Sequence, residues 1–171
     1  MKILLGIFSL MLLSCNGCKQ GKDQTNMAPP TEMELIERNK QMHLQETKAI
    51  KEFIKEKKWP MTETGTGLHY WIYENGSGEL AKTDDIVTIS YVVSLLDGEE
   101  VYRSDAGGGG SFKIGMDNVE SGLHEMLLLM HVGDKAKVVL PSHLAFGLTG
   151  DSGKIPQSAP LVYDIQLISI K

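Results

Sequence analysis

Two different hydrophobic patterns divide the chain. Between residues 31 and 60, apolar residues recur at near-heptad spacing among glutamates and lysines, which is typical of one face of a helix. This apolar stripe comprises Leu35, Met42, Ala49 and Phe53, with Ile36 and Ile50 alongside. From Thr64 onward, apolar and polar residues alternate, which is typical of strands with one buried face. The sequence therefore predicts an amino-terminal helix over residues 31–60 and a sheet domain over residues 61–171.

Both ends of the predicted helix carry boundary signals. Thr31 and Glu34 form a capping box, in which the hydroxyl accepts a hydrogen bond from the Glu34 N–H and the carboxylate reaches back. Trp59-Pro60 ends the helix, because proline cannot continue it. The narrow stripe leaves two interpretations open. Either the helix lies on its own domain, or residues 31–58 pair with another chain, for example in a homodimer.

The alternating part of the chain predicts strands separated by turns. Asp97-Gly98 is a strong hairpin signal. The segment Gly122–Met130, with Ser121 as its cap, is apolar around much of its surface and is predicted to be a buried short helix. Strand patterns cover residues 68–73, 85–96, 100–104, 111–114, 135–140 and 161–170. The predicted fold class is α+β: an antiparallel twisted sheet of about five strands wrapped on the short helix, preceded by the long amino-terminal helix.

One loop has the composition of a pocket wall. Pro141 ends the strand over residues 135–140, because proline has no N–H to donate to the sheet. Residues 142–150 then place Phe146 and other apolar residues among glycines. A loop that carries an aromatic residue and ends in glycines is more typical of a binding pocket than of a plain connection.

The first residues have the pattern of a secretory signal peptide. An apolar run from Ile3 to Leu13 follows one positive residue and is too short for a helix that spans a bilayer. The run ends in Leu-Leu-Ser-Cys, which resembles a bacterial lipobox and implies a lipoprotein signal peptide over residues 1–14 with lipid on Cys15. Cys15 and Cys18 also match a CxxC redox or metal pair, but their place at the end of the apolar run favours lipidation.

An anchored amino terminus predicts a protein of the cell envelope. Residues 15–30 are polar, with glycine, glutamine and two prolines, and are expected to form a flexible tether. The expected location is the outer membrane, with the domain facing the periplasm. The net charge is −5 and there is no basic patch, which argues against nucleic acid as a partner.

No residue pattern indicates a metal or a cofactor. His124 and His131 lie seven residues apart, not at the spacing that brings two helical ligands together. Gly150–Gly153 spells a serine-protease motif, but no histidine lies in a recognisable base motif. Gly147–Lys154 differs in glycine spacing from a phosphate-binding loop, and no helix is predicted after it. We therefore expect a non-covalent, apolar site.

Short segments from residue 87 to the carboxyl terminus follow one another in a characteristic order. They are Val87–Tyr91, Leu96–Gly98, Val119–Leu123, Met130–Ala136, Leu140–Pro141, Ala145–Gly147, Ile155–Pro156 and Leu161–Ile165. Together this set resembles the FKBP-type peptidyl-prolyl cis-trans isomerases over Val87 to Lys171. Behind the lipobox, Ile36–Lys40 and Pro141–His143 look more narrowly like the FKBP lipoproteins associated with gliding motility and its secretion machinery.

The resemblance implies an FKBP fold with an aromatic cup, and it carries over a set of site positions. These are Tyr91, Val101, Tyr102, Phe112, Val119, Glu120, Leu123, Phe146, Ile155 and Tyr163. Val101 replaces a pocket phenylalanine, Tyr102 an aspartate and Leu123 a tryptophan. Glu120 replaces an isoleucine, and Phe146 replaces a tyrosine that bonds the substrate carbonyl. The Tyr163 hydroxyl, where the family has phenylalanine, needs a hydrogen-bond partner.

The expected function is therefore cis-trans isomerisation of proline-containing polypeptide clients. Such an enzyme would assist the folding of exported proteins in the envelope, in connection with gliding motility or its secretion machinery. The changed cup residues keep an alternative open, namely an FKBP-fold binding module or subunit of a secretion or motility complex with little or no isomerase activity. Tyr91, Val119 and Phe146 favour the enzyme.

Overall fold

The computed structural model describes residues 30–104 and 109–171 and places a long helix before a sheet domain. Helix α1 (Glu32–Lys57) begins at the predicted capping box: the Thr31 hydroxyl accepts a hydrogen bond from the Glu34 N–H at 3.3 Å, and the Thr31 N–H donates to the Glu34 carboxylate at 2.7 Å. The helix ends where Lys58 adopts a left-handed conformation with φ of 57°. The predicted amino-terminal helix is confirmed.

Within those residues, seven antiparallel strands form one sheet. They are β1 (Thr62–Glu63), β2 (His69–Glu74), β3 (Ile86–Leu95), β4 (Glu100–Arg103), β5 (Ser111–Lys113), β6 (Lys135–Leu140) and β7 (Leu161–Ile170). The strand order is β1-β2-β6-β7-β3-β4, with β5 also paired to β3. The predicted bounds of β6 and β7 are confirmed. The count exceeds the expected number of about five, partly because β1 has two residues and is too short to show a period.

Helix α2 (Ser121–Leu127) packs against the sheet and supplies part of the core. Its side chains in the core are Leu123, Met126 and Leu127, with Met130 just beyond the helix. The predicted cap is wrong: Glu120 occupies the N-cap position without a capping side-chain bond. Ser121 is the first helical residue, and its hydroxyl donates instead to the Leu144 carbonyl at 3.4 Å. That bond ties α2 to the loop after β6.

A second, smaller core lies between α1 and the outer face of the sheet. Ile50 of α1 is 2% exposed and packs with Val139 of β6 and Val162 of β7. Half-buried residues complete this cluster: Phe53, Ile54, Trp59, Met61 and Leu96. The carboxyl-terminal half of α1 therefore lies on its own domain, which was the first of the two interpretations of the apolar stripe.

The amino-terminal half of α1 keeps its apolar side chains exposed. Met33 is 80% exposed and Ile36 is 59% exposed. Leu35, Met42 and Leu44 are exposed as well. Pairing of this half with another chain stays a prediction. Within the described part of the chain, no helix combines the length and hydrophobicity needed to cross a bilayer.

Some predicted features lie outside the described residues. The signal peptide over residues 1–14, the lipidated Cys15, Cys18 and almost all of the tether over residues 15–30 belong to this group. So do residues 105–108, which include part of the glycine run before β5.

Truncation of Ile50 tests whether α1 is an integral part of the fold. We expect Ile50→Ala to lower the free energy of unfolding by about 2–5 kcal/mol, because it leaves a cavity between α1, β6 and β7. Ile36→Ala, on the exposed half of the same helix, should change it by no more than about 0.5 kcal/mol. Urea denaturation of both variants measures the difference. Equal effects of the two substitutions would contradict the docking of α1 on the sheet.

Candidate functional site

An aromatic cup with a volume of about 220 Å³ opens between the sheet, α2 and the loop after β6. Its lining residues are Ile89, Tyr91, Val93, Tyr102, Gly109, Phe112, Val119, Glu120, Leu123, Phe146 and Tyr163. Eight of the ten predicted site residues are among them. Tertiary structure thus brings together residues from six separate parts of the chain in one concave surface.

Two predicted site residues do not reach the cup surface. Val101 of β4 is 1% exposed and Ile155 is 3% exposed, and both belong to the main hydrophobic core. Val101 is a smaller residue than the family phenylalanine at that position and stays within the core. Their contribution is therefore packing behind the cup wall.

Strand β3 forms one wall of the cup through every second residue. Ile89, Tyr91 and Val93 share one face, as the period of a strand requires. The Tyr91 N–H donates to the Ser104 hydroxyl at 3.0 Å, and the Tyr91 carbonyl accepts from the Ser104 N–H at 2.9 Å. Only Tyr91 of the three was predicted as a site residue, although the alternation of β3 places Ile89 and Val93 on the same face.

Gly109 lets the backbone lie close against the Tyr91 ring. A Cβ at this position would come within 2.5 Å of a ring carbon of Tyr91. Its N–H donates to the Ile89 carbonyl at 2.7 Å. Gly109 is one of the cup residues that were not predicted from the sequence.

The start of α2 contributes Val119, Glu120 and Leu123 to the cup. Gly122 allows α2 to approach the sheet, since a Cβ there would lie 2.5 Å from the side chain of Leu140. Leu123 is 6% exposed and forms part of the cup floor where the family has a tryptophan. A leucine provides a less flat floor than an indole ring would.

Tyr163 finds its expected hydrogen-bond partner in Glu120. The phenol, 4% exposed, donates to the Glu120 carboxylate at 2.6 Å. Burial, and then the nearby Glu120 charge, raises the pKa of Tyr163 far above its ordinary value. The Tyr163 and Tyr91 rings lie with centroids 6.3 Å apart, tilted by 54°. Two of the substitutions relative to the family pattern therefore compensate each other.

Tyr102, Asp151 and Lys154 form a polar cluster at the rim of the cup, and of these only Tyr102 was predicted from the sequence. The Tyr102 hydroxyl donates to the Asp151 carboxylate, and this bond lowers the pKa of Asp151. Asp151 also accepts from the N–H groups of Gly153 at 2.7 Å and Ile155 at 2.8 Å. The Lys154 ammonium lies 5.6 Å from the Tyr102 ring centroid. Asp151 thus supplies a carboxylate at the rim although Tyr102 has replaced the family aspartate.

A larger cavity, of about 460 Å³, lies between α1 and the loop after β6. Met42, Glu46, Leu96, Ser142 and Leu148 are among its lining residues. Size alone does not identify the functional site. The smaller cup is lined by two phenylalanines, three tyrosines and a carboxylate, which is the usual composition of a ligand pocket with a few placed polar groups.

The described residues offer no obvious metal site. Across residues 30–104 and 109–171, no group of three or more histidine, cysteine, aspartate or glutamate side chains is placed to hold a metal ion. The cup residues can pack against an apolar group of a polypeptide and form hydrogen bonds with it.

A family model and curated relatives match the same part of the chain. The model for FKBP-type peptidyl-prolyl cis-trans isomerases matches residues 77–168. FkpA, an FKBP-type peptidyl-prolyl cis-trans isomerase of Escherichia coli strain K12, is 38% identical over 120 residues, which cover 70% of this chain and 43% of FkpA. A probable FkpA of Neisseria meningitidis serogroup B is 36% identical over 134 residues, covering 75% of this chain and 49% of the relative. The chain thus spans less than half the length of these two curated relatives.

Solved structures show the same fold. A peptidyl-prolyl cis-trans isomerase from Pseudomonas syringae superposes with a TM-score of 0.63 at 30% identity, covering 74% of this chain and 93% of that one. FkpA from Escherichia coli superposes with a TM-score of 0.65 at 30% identity, covering 84% of this chain and 75% of that one. The predicted α+β fold class is confirmed.

Alkaline unfolding tests the burial of the Tyr163 phenol. Its folded-state pKa lies above the unfolded value of about 10, so the stability it contributes is complete below pH 10 and is lost as pH rises further. Between pH 8 and pH 11, we expect wild type to lose about 1.4 kcal/mol more unfolding free energy than Tyr163→Phe. Tyr73, whose pKa is raised to about 12 by burial and Asp164, titrates in both proteins and cancels.

Urea denaturation at the two pH values measures the difference. An equal loss in wild type and Tyr163→Phe would mean that the phenol ionises freely in the folded protein. That result would contradict the buried Tyr163–Glu120 pair.

Proposed function

Because the chain belongs to the FKBP-type peptidyl-prolyl cis-trans isomerase family, we propose that it catalyses the cis-trans isomerisation of X–Pro bonds in polypeptide clients. The observation that carries the proposal is the convergence of eight predicted cup residues on one aromatic cavity. The clients are exported proteins that fold in the cell envelope. A narrower role alongside gliding motility or its secretion machinery rests on the lipobox and on the Ile36–Lys40 and Pro141–His143 segments.

The chemistry of the reaction fits a cup without acid, base or nucleophile. Amide resonance opposes rotation about the X–Pro bond with a barrier of about 20 kcal/mol. An apolar cup lowers that barrier when it grips the proline ring, removes water from the amide and favours the twisted geometry over both planar ones. Tyr91, Phe112 and Phe146 supply the aromatic wall, and Val119 with Leu123 supplies aliphatic contact.

The alternative proposal is a binding module that has kept the fold but little catalysis. Phe146 has no hydroxyl to offer a substrate carbonyl, and Tyr102 is committed to Asp151. Each directional contact that is lost is worth roughly 1 kcal/mol. Glu120 also places a carboxylate in the cup, which suits a polar or cationic residue beside the bound proline.

The cis-to-trans rate of a short Leu-Pro peptide separates the two proposals. We expect the purified protein to accelerate isomerisation and Tyr91→Ala to lose at least about tenfold in kcat/KM, because the ring forms the cup wall. Tyr73→Ala removes a tyrosine side chain of β2 that is 38% exposed and lies outside the cup, and it serves as the matched control, with wild-type kcat/KM expected. A wild-type rate equal to the uncatalysed rate would refute the isomerase proposal and favour the binding module.

The proposed location rests on the amino-terminal sequence. We propose that lipid on Cys15 anchors the protein to the envelope. The expected membrane is the outer membrane, with the domain facing the periplasm. Residues 16–30 would then tether α1 and the isomerase domain to the membrane.

The exposed apolar side chains on the amino-terminal half of α1 support a further proposal, that residues 31–58 pair in a homodimer or dock on an envelope complex.

Fractionation of cells that express the full chain tests the anchor. We expect the protein in the membrane fraction and Cys15→Ser in the soluble fraction or unprocessed, since Cys15 alone would carry the lipid. Cys18→Ser is the matched control and should fractionate like wild type. Membrane association that survives Cys15→Ser without an unprocessed signal peptide would contradict lipidation at this residue.

A further inference from the structure

Glu46 connects α1 to the loop that carries Phe146 into the cup. Both donors of Ser142, its backbone N–H and its hydroxyl, point to the Glu46 carboxylate, and the hydroxyl bond is 2.9 Å long. The two residues are 96 positions apart in the sequence. Ser142 is 7% exposed, so its two donors depend mainly on partners within the protein. A charged acceptor for two donors forms a strong, geometrically defined contact.

Ser142 in turn fixes the backbone on both sides of Phe146. Its carbonyl accepts from the N–H of Ala145 at 3.0 Å and from the N–H of Gly147 at 2.8 Å. Gly147 has a φ of 61°, which allows the chain to turn back toward Ser142. The backbone N–H groups immediately before and after Phe146 therefore donate to the same carbonyl, that of Ser142. The N–H and the hydroxyl of Ser142 are in turn bonded to Glu46.

The other hydrogen bonds of this loop are backbone bonds, such as that from the Ser158 N–H to the Gly147 carbonyl at 2.9 Å, and exposed side-chain bonds. A ring nitrogen of His143 lies 3.1 Å from the Thr66 carbonyl, and the Ser121 hydroxyl reaches the Leu144 carbonyl at 3.4 Å. Both of these hydrogen bonds are exposed to solvent. Within the described residues, Glu46 is the one carboxylate bonded to residues 141–147.

We propose that Glu46 is a positioning residue for the isomerase reaction, because it holds Ser142 and thereby keeps the Phe146 ring against the cup. The inference rests on the proposed function and extends it to α1. A helix outside the catalytic domain sets the geometry of one cup wall. Displacement of α1 at residue 46, by a partner or by a ligand in the neighbouring cavity of about 460 Å³, would loosen Phe146 and lower activity.

The test compares Glu46→Ala and Glu46→Gln with a control on the same helix. Glu52→Gln is the matched control, because the Glu52 side chain is 70% exposed and its ion pair with Lys48 spans 3.8 Å at the surface. Two readouts are needed. One is kcat/KM for a short Leu-Pro peptide at a temperature at which every variant is folded, and the other is amide hydrogen exchange of Ala145 and Gly147.

We expect Glu46→Ala to lower kcat/KM roughly tenfold and to accelerate exchange at both amides, because it leaves two buried donors without a partner. Glu46→Gln, which keeps one acceptor oxygen, should fall between Glu46→Ala and wild type. Ser142→Ala should add less in the Glu46→Ala background than in wild type, as for two residues that share one interaction. Glu52→Gln should match wild type in both readouts.

A purely structural role for Glu46 gives a different result. In that case Glu46→Ala lowers the melting temperature but leaves kcat/KM and the exchange of Ala145 and Gly147 unchanged, and the inference is wrong. If wild type itself does not accelerate isomerisation, the proposed function fails. The exchange measurement then still decides whether Glu46 holds the Phe146 loop.

Discussion

Burial of β6 and β7 on both faces where α1 packs on them, at Val139 and Val162, is the constraint on which the rest of the structure depends. One face of β7 presents Ile165 and Leu167 to the main core, while Val162 on the other face packs under α1. β7 pairs with β3 along its whole length and with β6 over residues 161–166. The cup is built on the first face, since Tyr163 belongs to it. The smaller core beneath α1 is built on the second face. Both surfaces therefore depend on the same two central strands.

Polar groups at the cup are satisfied in pairs that replace the family arrangement. Tyr163 bonds Glu120, and Tyr102 bonds Asp151. No buried side-chain nitrogen or oxygen lacks a partner within residues 30–104 and 109–171. Since an unpaired buried donor or acceptor is costly, a hydroxyl added at position 163 requires an acceptor nearby. The polar groups of the cup are therefore paired, although they differ from those that the family resemblance implies.

Local signals in the sequence predicted the elements well, whereas contacts between distant residues were not predictable from it. The capping box at Thr31 and the bounds of β6 and β7 follow from periodicity and from proline. Eight cup residues followed from the family resemblance. Val101 and Ile155 lie behind the cup in the main core, and the depth of a side chain cannot be predicted from its spacing in the sequence. Asp151 and Glu46 act through tertiary hydrogen bonds that have no local pattern.

The central claim is that the aromatic cup, and not the larger cavity beside α1, binds the proline. The most direct test is a nuclear magnetic resonance titration of the labelled protein with a short Leu-Pro peptide. If the cup binds the proline, the amide signals of Val119, Glu120 and Phe146 shift, and the cis and trans signals of the peptide exchange. Shifts confined to Met42, Leu96 and Leu148, which line the larger cavity, would contradict it.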